Sequence, residues 1–386
     1  MGNVPNLRLP EFCGEWVTKS INDLAVVIGG GTPDTTVKSY WDGEIQWFTP
    51  SEIGKNKYVD SSLRTITEVG LNNSSAKLLP PNTILLSSRA TIGECSLSLR
   101  ECATNQGFQC LVSKKCNVDF LYYLIQTKKK DLIRKSCGST FLEISANEVR
   151  KIQVSVPSDV EQQKIAELLS LIDERIATQN KIIEKYESLI KGLNNILLYG
   201  TEGKYVCLGD ILLERSERSR TNNQHEVLSS TVKGIFSQRE YFSKDIASEN
   251  NVGYKIIRLH DVVLSPQNLW MGNINYNDRF DIGIVSPSYK VFSIADGYDN
   301  QFVAAMLKTY RALYSYMMVS EQGASIVRRN LNMEAFLQLV FKIPSLDKQR
   351  EIGYAISLLK YQLKTANKII RAYISQKKYL LRQMFI

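Results

Sequence analysis

The sequence predicts a mixed α/β (α+β) fold in which two similar domains, related by an internal pseudo-two-fold repeat, are separated by an antiparallel two-helix coiled coil. The chain has 386 residues, which is room for two or three domains of ordinary size. One block of sequence returns after 187 residues, and each copy carries a long heptad pattern of apolar residues. These observations predict a first domain at 1–156, a first helix at 157–199, a second domain at 200–343 and a second helix at 344–386.

The repeat is strongest from Pro157-Ser158, which returns as Pro344-Ser345. Over the 42 residues that begin there, about a third of the positions are identical without a gap, far more than chance would give. The same offset relates Ile21–Leu24 to Leu208–Ile211, so each copy has a similar start and a similar end.

The stretches between these ends match poorly. Two correspondences need shifted offsets, namely Leu85-Leu86-Ser87 with Val263-Leu264-Ser265, and Gly138 with Gly323. This pattern indicates one fold used twice with different surfaces.

The repeated ends are predicted to be long helices. Ten positions at alternating steps of four and three run from Ile165 to Leu197 and from Ile352 to Met384, and nine of the ten are apolar in each copy. A heptad register sustained over four heptads is typical of a coiled coil. Ordinary core helices remain the alternative.

Charge and connectivity indicate how these helices pair. Residues 158–198 carry a net charge of −2 and residues 345–385 carry +7, which favours pairing between the two helices over self-pairing between chains. Each helix leaves its own domain, so side-by-side packing must be antiparallel. The 33 residues from Ile165 to Leu197 span roughly 50 Å, more than one ~34 Å turn of B-DNA.

Composition favours a polyanionic partner. Lysine and arginine number 48 against 39 acidic residues, which gives a net charge of +9 and makes nucleic acid the leading candidate. We expect a cytoplasmic protein, because no apolar run is long enough to span a membrane and the first residues lack the features of a signal peptide.

Motifs for catalysis or metal binding are missing from the sequence. Seven cysteines form no CxxC pair and are interpreted as reduced packing thiols. His225 and His260 have no metal-ligand spacing, and Gly29–Pro33 lacks the remaining residues of a phosphate-binding loop, so it is interpreted as a connection after a strand. We therefore expect a non-catalytic chain that binds no cofactor and no metal.

The sequence resembles the specificity subunits of type I restriction-modification systems. The motifs that carry the resemblance in the first half are Leu7–Phe12 leading to Glu15-Trp16, Gly30–Pro33 followed by Tyr40-Trp41 and Ile45–Trp47, Asn105-Gln106, and Pro157 with Glu161-Gln162, Lys164-Ile165 and Asp173. Those in the second half are Val285–Tyr289, Gly323–Ser325 and Arg328–Leu331. The second copy departs from the first where Lys348 replaces Glu161 and Lys360 replaces Asp173.

The resemblance implies two target recognition domains that each read one half of a bipartite double-stranded DNA site. It implies a methyltransferase subunit in two copies on pseudo-equivalent faces and a motor-nuclease subunit, also in two copies. S-adenosylmethionine, ATP and Mg²⁺ would then be bound by these partner subunits, and the spacer helices would set the gap and dock the methyltransferase.

Candidate base contacts follow from the chemistry of the grooves, since arginine and lysine pair with guanine and asparagine and glutamine pair with adenine. The candidates in domain one follow a predicted strand at 83–86 or precede the next apolar run: Arg89, Thr91, Asn105 and Gln106. The candidates in domain two follow the matching strand or the Gly323 turn: Gln267, Asn268, Arg328 and Arg329.

Plainer roles for these residues remain open. Asn105-Gln106 could only stabilise a turn, and Arg328-Arg329 could only pair with acidic side chains. Lys128–Lys130 is interpreted as a solvated helix end, with phosphate contact as the alternative. At the level of the whole chain, a stand-alone two-headed DNA-binding regulator and a coiled-coil protein scaffold are the rival functions.

Overall fold

The computed structural model describes residues 2–138, 142–199, 202–241, 250–322 and 329–386. The chain divides into two units, one of Met1–Lys181 with Asn367–Ile386 and one of Ile182–Ala366. Within the described ranges, none of the helices combines the length and apolarity needed to cross a bilayer.

The first unit contains ten strands, five short helices and the start of a long helix. Its strands are β1 (Val17–Ser20), β2 (Ala25–Gly29), β3 (Trp41–Phe48), β4 (Tyr58–Val59), β5 (Arg64–Ile66), β6 (Ile84–Leu86), β7 (Cys95–Ser98), β8 (Cys102–Thr104), β9 (Gln109–Ser113) and β10 (Gln153–Val156). Its helices are α1 (Ile21–Leu24), α2 (Glu68–Asn72), α3 (Val118–Thr127), α4 (Lys129–Arg134), α5 (Ala146–Arg150) and α6 (Asp159–Tyr199), the last of which continues into the second unit.

The main sheet of this unit has the order β2-β9-β6-β7-β4, and β5-β3-β8 forms a second sheet. Strand β6, at the centre of the main sheet, is completely buried, which explains why it appears in the sequence as an unbroken apolar run. Helix α3 packs its apolar face on the sheet, with Phe120 and Tyr123 fully buried, and begins where the Asn117 side chain accepts a hydrogen bond from the Phe120 N–H.

The second unit repeats this plan. Its strands are β11 (Lys204–Cys207), β12 (Leu212–Arg215), β13 (Leu228–Thr231), β14 (Gly234–Ser237), β15 (Lys255–Arg258), β16 (Val262–Leu264), β17 (Ile274–Tyr276), β18 (Ile282–Val285), β19 (Lys290–Ile294), β20 (Ser320–Gln322), β21 (Arg329–Leu331) and β22 (Val340–Ile343). Its helices are α7 (Leu208–Ile211), α8 (Gln238–Tyr241), α9 (Asn300–Met306), α10 (Tyr310–Met318), α11 (Met333–Leu337) and the start of α12 (Leu346–Gln383).

The sheets confirm the internal repeat. The order β12-β19-β16-β17 in the second unit matches β2-β9-β6-β7 in the first. The pair β11–β22 stands at an offset of 187 residues from β1–β10, as does α11 from α5. Strands β6 and β16 are equivalent, which confirms the shifted correspondence of Leu85–Ser87 with Val263–Ser265. The predicted match of Gly138 with Gly323 falls outside the described residues, because Gly323 is not among them.

The two long helices begin at Asp159 and Leu346. Helix α6 has 41 residues and α12 has 38, so each is about 60 Å long. Where they meet in the first unit, Asp173 is bonded to Lys377 and Arg175 lies against the ring of Tyr373. From Asp173 to Arg175 the residue number in α6 rises, while that of the contacting residue in α12 falls from Lys377 to Tyr373. This pairing is therefore antiparallel, as predicted. In the second unit Leu193 of α6 packs on the core that contains Ile352 and Ile356 of α12.

Both ends of the described chain also lie in the first unit. The Leu7 N–H donates to the Gln383 carbonyl at 2.8 Å, and Phe385 stacks on Phe120 with ring centroids 5.3 Å apart. Met384 and Phe385 are buried in the same core as Trp16. The last turn of the second repeat is therefore part of the first unit's core.

Candidate nucleic-acid interface

The candidate residues of the first unit emerge at one end of its main sheet. Antiparallel register places Gly29, the last residue of β2, opposite Gln109, the first of β9. It also places Leu86, the last of β6, opposite Cys95, the first of β7. These strand ends coincide. The same end of the sheet therefore carries the segments that follow Gly29 and Leu86 and the segment that precedes Gln109.

Arg89 and Thr91 lie in the tight turn that joins β6 to β7. The Ser87 N–H donates to the Glu94 carbonyl at 2.9 Å, and Ala90 and Gly93 both adopt positive φ values (52° and 86°). The Thr91 hydroxyl donates to Ser87 Oγ at 3.1 Å. The Arg89 guanidinium lies 2.8 Å from Glu143, and their side chains are 42% and 35% exposed. Arg89 is thus held at the surface in a partly exposed ion pair.

Asn105 and Gln106 stabilise the neighbouring turn. Asn105 Oδ1 accepts the Gly107 N–H at 2.9 Å, and Gln106 Oε1 accepts a hydrogen bond from the Thr32 hydroxyl. The plainer role considered for this pair is therefore present in the structure. The Ser88 N–H donates to the Gly107 carbonyl at 2.8 Å, so the two predicted segments are neighbours.

The Gly30-Gly31 motif allows a close backbone approach in this region. A Cβ on Gly30 would lie 1.9 Å from the Asn105 carbonyl oxygen, and a Cβ on Gly31 would collide with Ser75 and Ala76. The Gly31 N–H donates to the Thr104 carbonyl at 2.8 Å, and the Trp47 indole N–H donates to the Gly31 carbonyl at 2.9 Å. The motif follows β2, as predicted, and orders the loop beside Asn105.

The candidates of the second unit come together in the equivalent place. Gln267 and Asn268 lie in the connection between β16 and β17, which is the counterpart of the β6–β7 turn. The Arg329 N–H donates to the Gln267 carbonyl at 3.1 Å. The Arg329 guanidinium lies 4.7 Å from the centre of the Trp270 ring. Arg328 is outside the described residues.

Arg329 lies beside Trp270. Among the ion pairs of the described residues, none involves Arg329, and its side chain packs on an aromatic ring instead. Guanidinium groups stack on aromatic faces while keeping edge N–H groups available for hydrogen bonds. Gln267 is exposed and Asn268 half-buried beside it.

A buried polar cluster behind these residues was not predicted. Ser230 Oγ donates to Asn273 Oδ1 at 2.8 Å, Asn275 Nδ2 donates to Ser230 Oγ at 2.7 Å, and the Tyr289 hydroxyl donates to the Ser230 carbonyl at 3.0 Å. Tyr289 closes the Val285–Tyr289 motif, which therefore has a structural role. Asn273, Asn275 and Asn277 were the available sequence signal, but Asn273 and Asn275 are hydrogen-bonded to residues of β13, which is distant in the chain.

The motif residues at the start of α6 are joined to the first unit by buried hydrogen bonds. Arg8 donates two bonds, of 2.8 and 2.7 Å, to the Glu161 carboxylate, and the Trp16 indole donates to the same group. Gln162 Nε2 donates to the Pro157 carbonyl at 3.0 Å, and Gln349 makes the same bond to Pro344 in the second unit. Lys348, which replaces Glu161, pairs instead with Glu351 on its own helix.

A second cluster joins both long helices to the first unit. The Asp173 carboxylate accepts hydrogen bonds from the Tyr123 hydroxyl and from Lys377 Nζ, each at 2.7 Å. The Asp173 and Lys377 side chains are only 14% and 17% exposed. Lys377 is the one polar position in the second heptad seam, and Asp173 explains its presence there. Lys360, the counterpart of Asp173, cannot accept such bonds.

Four of the seven thiols are buried in the first unit. All seven cysteines are free, and Cys95, Cys102, Cys110 and Cys116 are buried. Burial raises the pKa of each of these four thiols to about 12, so they remain protonated at neutral pH. In the parts of the chain that the structure describes, no group of three His, Cys, Asp or Glu side chains could hold a metal ion.

Comparison with known proteins gives matches in one family. Residues 14–188 match the family model of the type I restriction modification DNA specificity domain. The chain is 40% identical over 179 residues to the type I restriction enzyme MjaIX specificity subunit of Methanocaldococcus jannaschii, which covers 44% of this chain and 41% of that protein. It is 31% identical over 168 residues to the EcoR124I/EcoR124II specificity subunit of Escherichia coli, covering 42% and 41%. The matches thus span about two fifths of these relatives.

Two solved structures have the same fold. The S subunit of a type I restriction-modification system from M. genitalium aligns with a TM-score of 0.62 at 16% sequence identity, covering 99% of both chains. A chain from a structure on complex assembly and conformational transition of the type I R-M system aligns with a TM-score of 0.54 at 13% identity, covering 98% of this chain and 97% of that one.

Proposed function

We propose that this chain, whose residues 14–188 belong to the DNA specificity domain family of type I restriction modification systems, is the subunit that selects the DNA sequence in such a system. The observation that carries the proposal is the equivalence of two surfaces. In each unit, exposed or half-exposed arginine and amide side chains lie in or beside the equivalent connection of an equivalent sheet, β6–β7 in the first and β16–β17 in the second. A chain with two such surfaces is suited to a bipartite DNA site.

The two halves of the site should differ in sequence. The first surface presents Arg89 and Thr91 next to Asn105-Gln106, whereas the second presents Gln267 and Asn268 next to Arg329. Arginine, glutamine and asparagine make the bidentate contacts that distinguish guanine and adenine in the major groove. We assign residues 1–156 and 200–343 to the two target recognition domains, and 157–199 and 344–386 to the helices that set the gap.

The chemistry belongs to other subunits in this proposal. The chain would be non-catalytic and would dock a methyltransferase subunit in two copies through its helical spacer, with a motor-nuclease subunit in two copies joining the complex in the cytoplasm. Those subunits would bind S-adenosylmethionine, ATP and Mg²⁺. The names of the relatives, all specificity subunits of restriction enzymes, support this division of labour.

Selection of binding sequences from random DNA tests the proposal against its rival. The chain is incubated with a pool of random duplexes, once alone and once with the methyltransferase subunit of its system. We expect a bipartite motif to be enriched only, or far more strongly, in the presence of the methyltransferase. Equal enrichment by the chain alone would favour a stand-alone two-headed DNA-binding regulator.

A control selection at raised salt separates sequence recognition from general attraction. Phosphate contacts weaken steeply as salt increases, whereas preference between sequences depends on base contacts. A protein scaffold would show no salt-dependent DNA affinity at all.

A further inference from the structure

A basic cleft lies in the first unit, away from the residues proposed to contact bases. It has a volume of about 670 Å³ and lies between the junction of α3 with α4 and the end of α12. Five basic side chains line it: Lys128, Lys129, Lys130, Lys378 and Arg382. The two helical segments that supply them are about 250 residues apart in the chain, so the fold, not the local sequence, concentrates this charge.

Three of these cations have no ion-pair partner among the described residues. Lys128 Nζ donates to the Ile386 carbonyl oxygen at 2.7 Å, and Lys129 pairs with Glu94. Lys130, Lys378 and Arg382 are exposed and form no ion pair with any described residue. Lys378 and Arg382 are also one turn apart on α12, where like charges repel and weaken a helix.

Ordinary helix electrostatics accounts for only part of this arrangement. A cation in the last turn of a helix is favoured by the helix dipole, which explains Arg382. It also favours Lys128, which caps the C-terminus of α3, but it does not explain Lys129 and Lys130 in the first turn of α4. Burial lowers the pKa of Lys128, as expected for a lysine in a partly enclosed site.

The cleft continues to the candidate base-reading turn. A neighbouring cleft of about 630 Å³ is lined by Ala90, Thr91 and Leu142, and it shares Lys129 and Ile133 with the first. Lys129 packs directly over Gly93, where a Cβ would lie 2.8 Å from Lys129 Cγ. The two clefts therefore adjoin at Lys129 and Ile133, and the second cleft reaches Thr91.

We propose that this cleft binds the phosphate backbone of the DNA duplex beside the half-site that the first domain reads. The proposal rests on the proposed function and extends it, because it assigns phosphate contacts to the end of the second repeat's helix. Phosphate contacts fix the position of a protein on DNA without selecting sequence. The last turns of α12 would then help to hold DNA on the first domain, although the second copy of the repeat encodes them.

A salt titration of DNA binding tests this assignment. The complex of the chain with its methyltransferase subunit is bound to a 30-base-pair duplex of random sequence and to a duplex carrying its methylated sequence, over about 50 to 200 mM KCl. The test variant combines Lys130→Gln, Lys378→Gln and Arg382→Gln. The matched control combines Lys19→Gln, Lys115→Gln and Lys204→Gln, which removes the same charge from exposed positions outside the cleft and outside both long helices.

Each phosphate contact contributes about 0.9 to the slope of log affinity against log salt. We expect the slope to be less steep by about 2 to 3 in the test variant on both duplexes. The ratio of the affinities for the two duplexes should stay unchanged. The control variant should leave the slope within about 0.5 of the wild-type value. A charge-conserving variant with Lys130→Arg, Lys378→Arg and Arg382→Lys should retain the wild-type slope, which shows that charge and not folding is responsible.

Three results would overturn the assignment. An unchanged slope in the test variant, with sequence preference intact, rejects the cleft as a phosphate site while leaving the proposed function standing, and an acidic protein partner becomes the alternative occupant. An equal fall in slope for test and control variants shows a general charge effect. If the wild-type complex bound both duplexes equally well, both the proposed function and this extension of it would be rejected.

Discussion

At the scale of single residues, Arg89 gives the sharpest test of base reading. Its ion pair with Glu143 is half-exposed, and such pairs contribute only about 0 to 1 kcal/mol to stability. We therefore expect Arg89→Ala to leave the melting temperature nearly unchanged but to weaken recognition of the first half-site by about 1 to 3 kcal/mol. Methylation or binding measured against variants of each half-site shows which half is affected.

The second unit supplies the reciprocal control. Arg329→Ala should weaken recognition of the second half-site and leave the first unchanged. Arg100→Ala, which removes another exposed ion pair of the first unit, should affect neither. If Arg89→Ala altered the second half-site alone, the assignment of the β6–β7 turn would have to be withdrawn.

The sequence predicted the residue types of these surfaces but not their roles. Asn105 was a candidate base contact, yet its side-chain oxygen is used by the Gly107 N–H. Such a bond depends on the local turn conformation, which the residue type alone does not determine. The stacking of Arg329 on Trp270 brings together residues 59 positions apart, and no periodic pattern indicates that contact.

Lys308 provides a residue-scale prediction about pH. Burial, followed by repulsion from Lys360, lowers its pKa from 10.5 to about 8. Below pH 8 this lysine is protonated in both states, so the folded protein bears the full cost of the buried charge. Between about pH 8 and 10.5 the unfolded chain binds the proton and the folded chain does not, so stability rises with pH.

We therefore expect the stability gain of Lys308→Met over the wild type to be largest below pH 8 and to shrink towards pH 10. In Lys308→Met the hydrogen bond from Lys308 to the Gly272 carbonyl is lost at every pH. This loss changes the free energy of unfolding by the same amount at each pH. Urea denaturation at several pH values measures the difference, with Lys233→Met at an exposed lysine as control. A difference that does not vary with pH would contradict the account.

At the scale of elements, the contact between α6 and α12 depends on Asp173. This carboxylate accepts bonds from Tyr123 and Lys377 in a mostly buried site, and removing one member of such a network leaves the others unpaired. We expect Asp173→Asn and Lys377→Met each to destabilise the protein by about 2 to 4 kcal/mol.

A double-mutant cycle measured by denaturant unfolding isolates the pair. The interaction energy between Asp173 and Lys377 should be about 1 to 3 kcal/mol, whereas the exposed Lys164–Glu167 pair, treated in the same way, should give less than about 0.5 kcal/mol. Additive effects of Asp173→Asn and Lys377→Met would show that the two side chains do not stabilise the helix contact together.

The helices could be predicted better than the sheets. The seam from Ile165 and the seam from Ile352 depend on a local period, and opposite net charges indicated which helices pair. The sheet order β2-β9-β6-β7-β4 joins strands that are far apart in the chain, and only long-range packing determines it. Charged side chains such as Arg8 and Glu161 join the helices to the domains. The sequence placed these residues in motifs but did not predict that they pair with each other.

At the scale of the whole molecule, the helices should act as a spacer. Lys181 and Asn367 mark the boundaries between the two units, close to Gln179 and Thr365. Four residues inserted after Gln179, matched by four after Thr365, lengthen each helix by about 6 Å, or nearly two base-pair steps. We expect the unspecified gap between half-sites to lengthen while both half-site sequences stay the same.

The same measurement checks the separation of roles between domains and helices. A changed half-site sequence in the insertion variant would show that the helices take part in base recognition. A matched variant with four residues inserted in an exposed turn near Gly297 should alter neither gap nor half-sites, because it lies outside both helices.

Mapping of methylated bases across the genome of cells that express this chain with its methyltransferase subunit tests the central claim most directly. The claim is that one chain carries two different DNA-reading surfaces held apart by paired helices. We expect a single methylated motif made of two unlike half-sites separated by a gap of fixed length and unspecified sequence. A continuous motif, two identical half-sites, or no sequence-dependent methylation above that of cells without this chain would contradict the account.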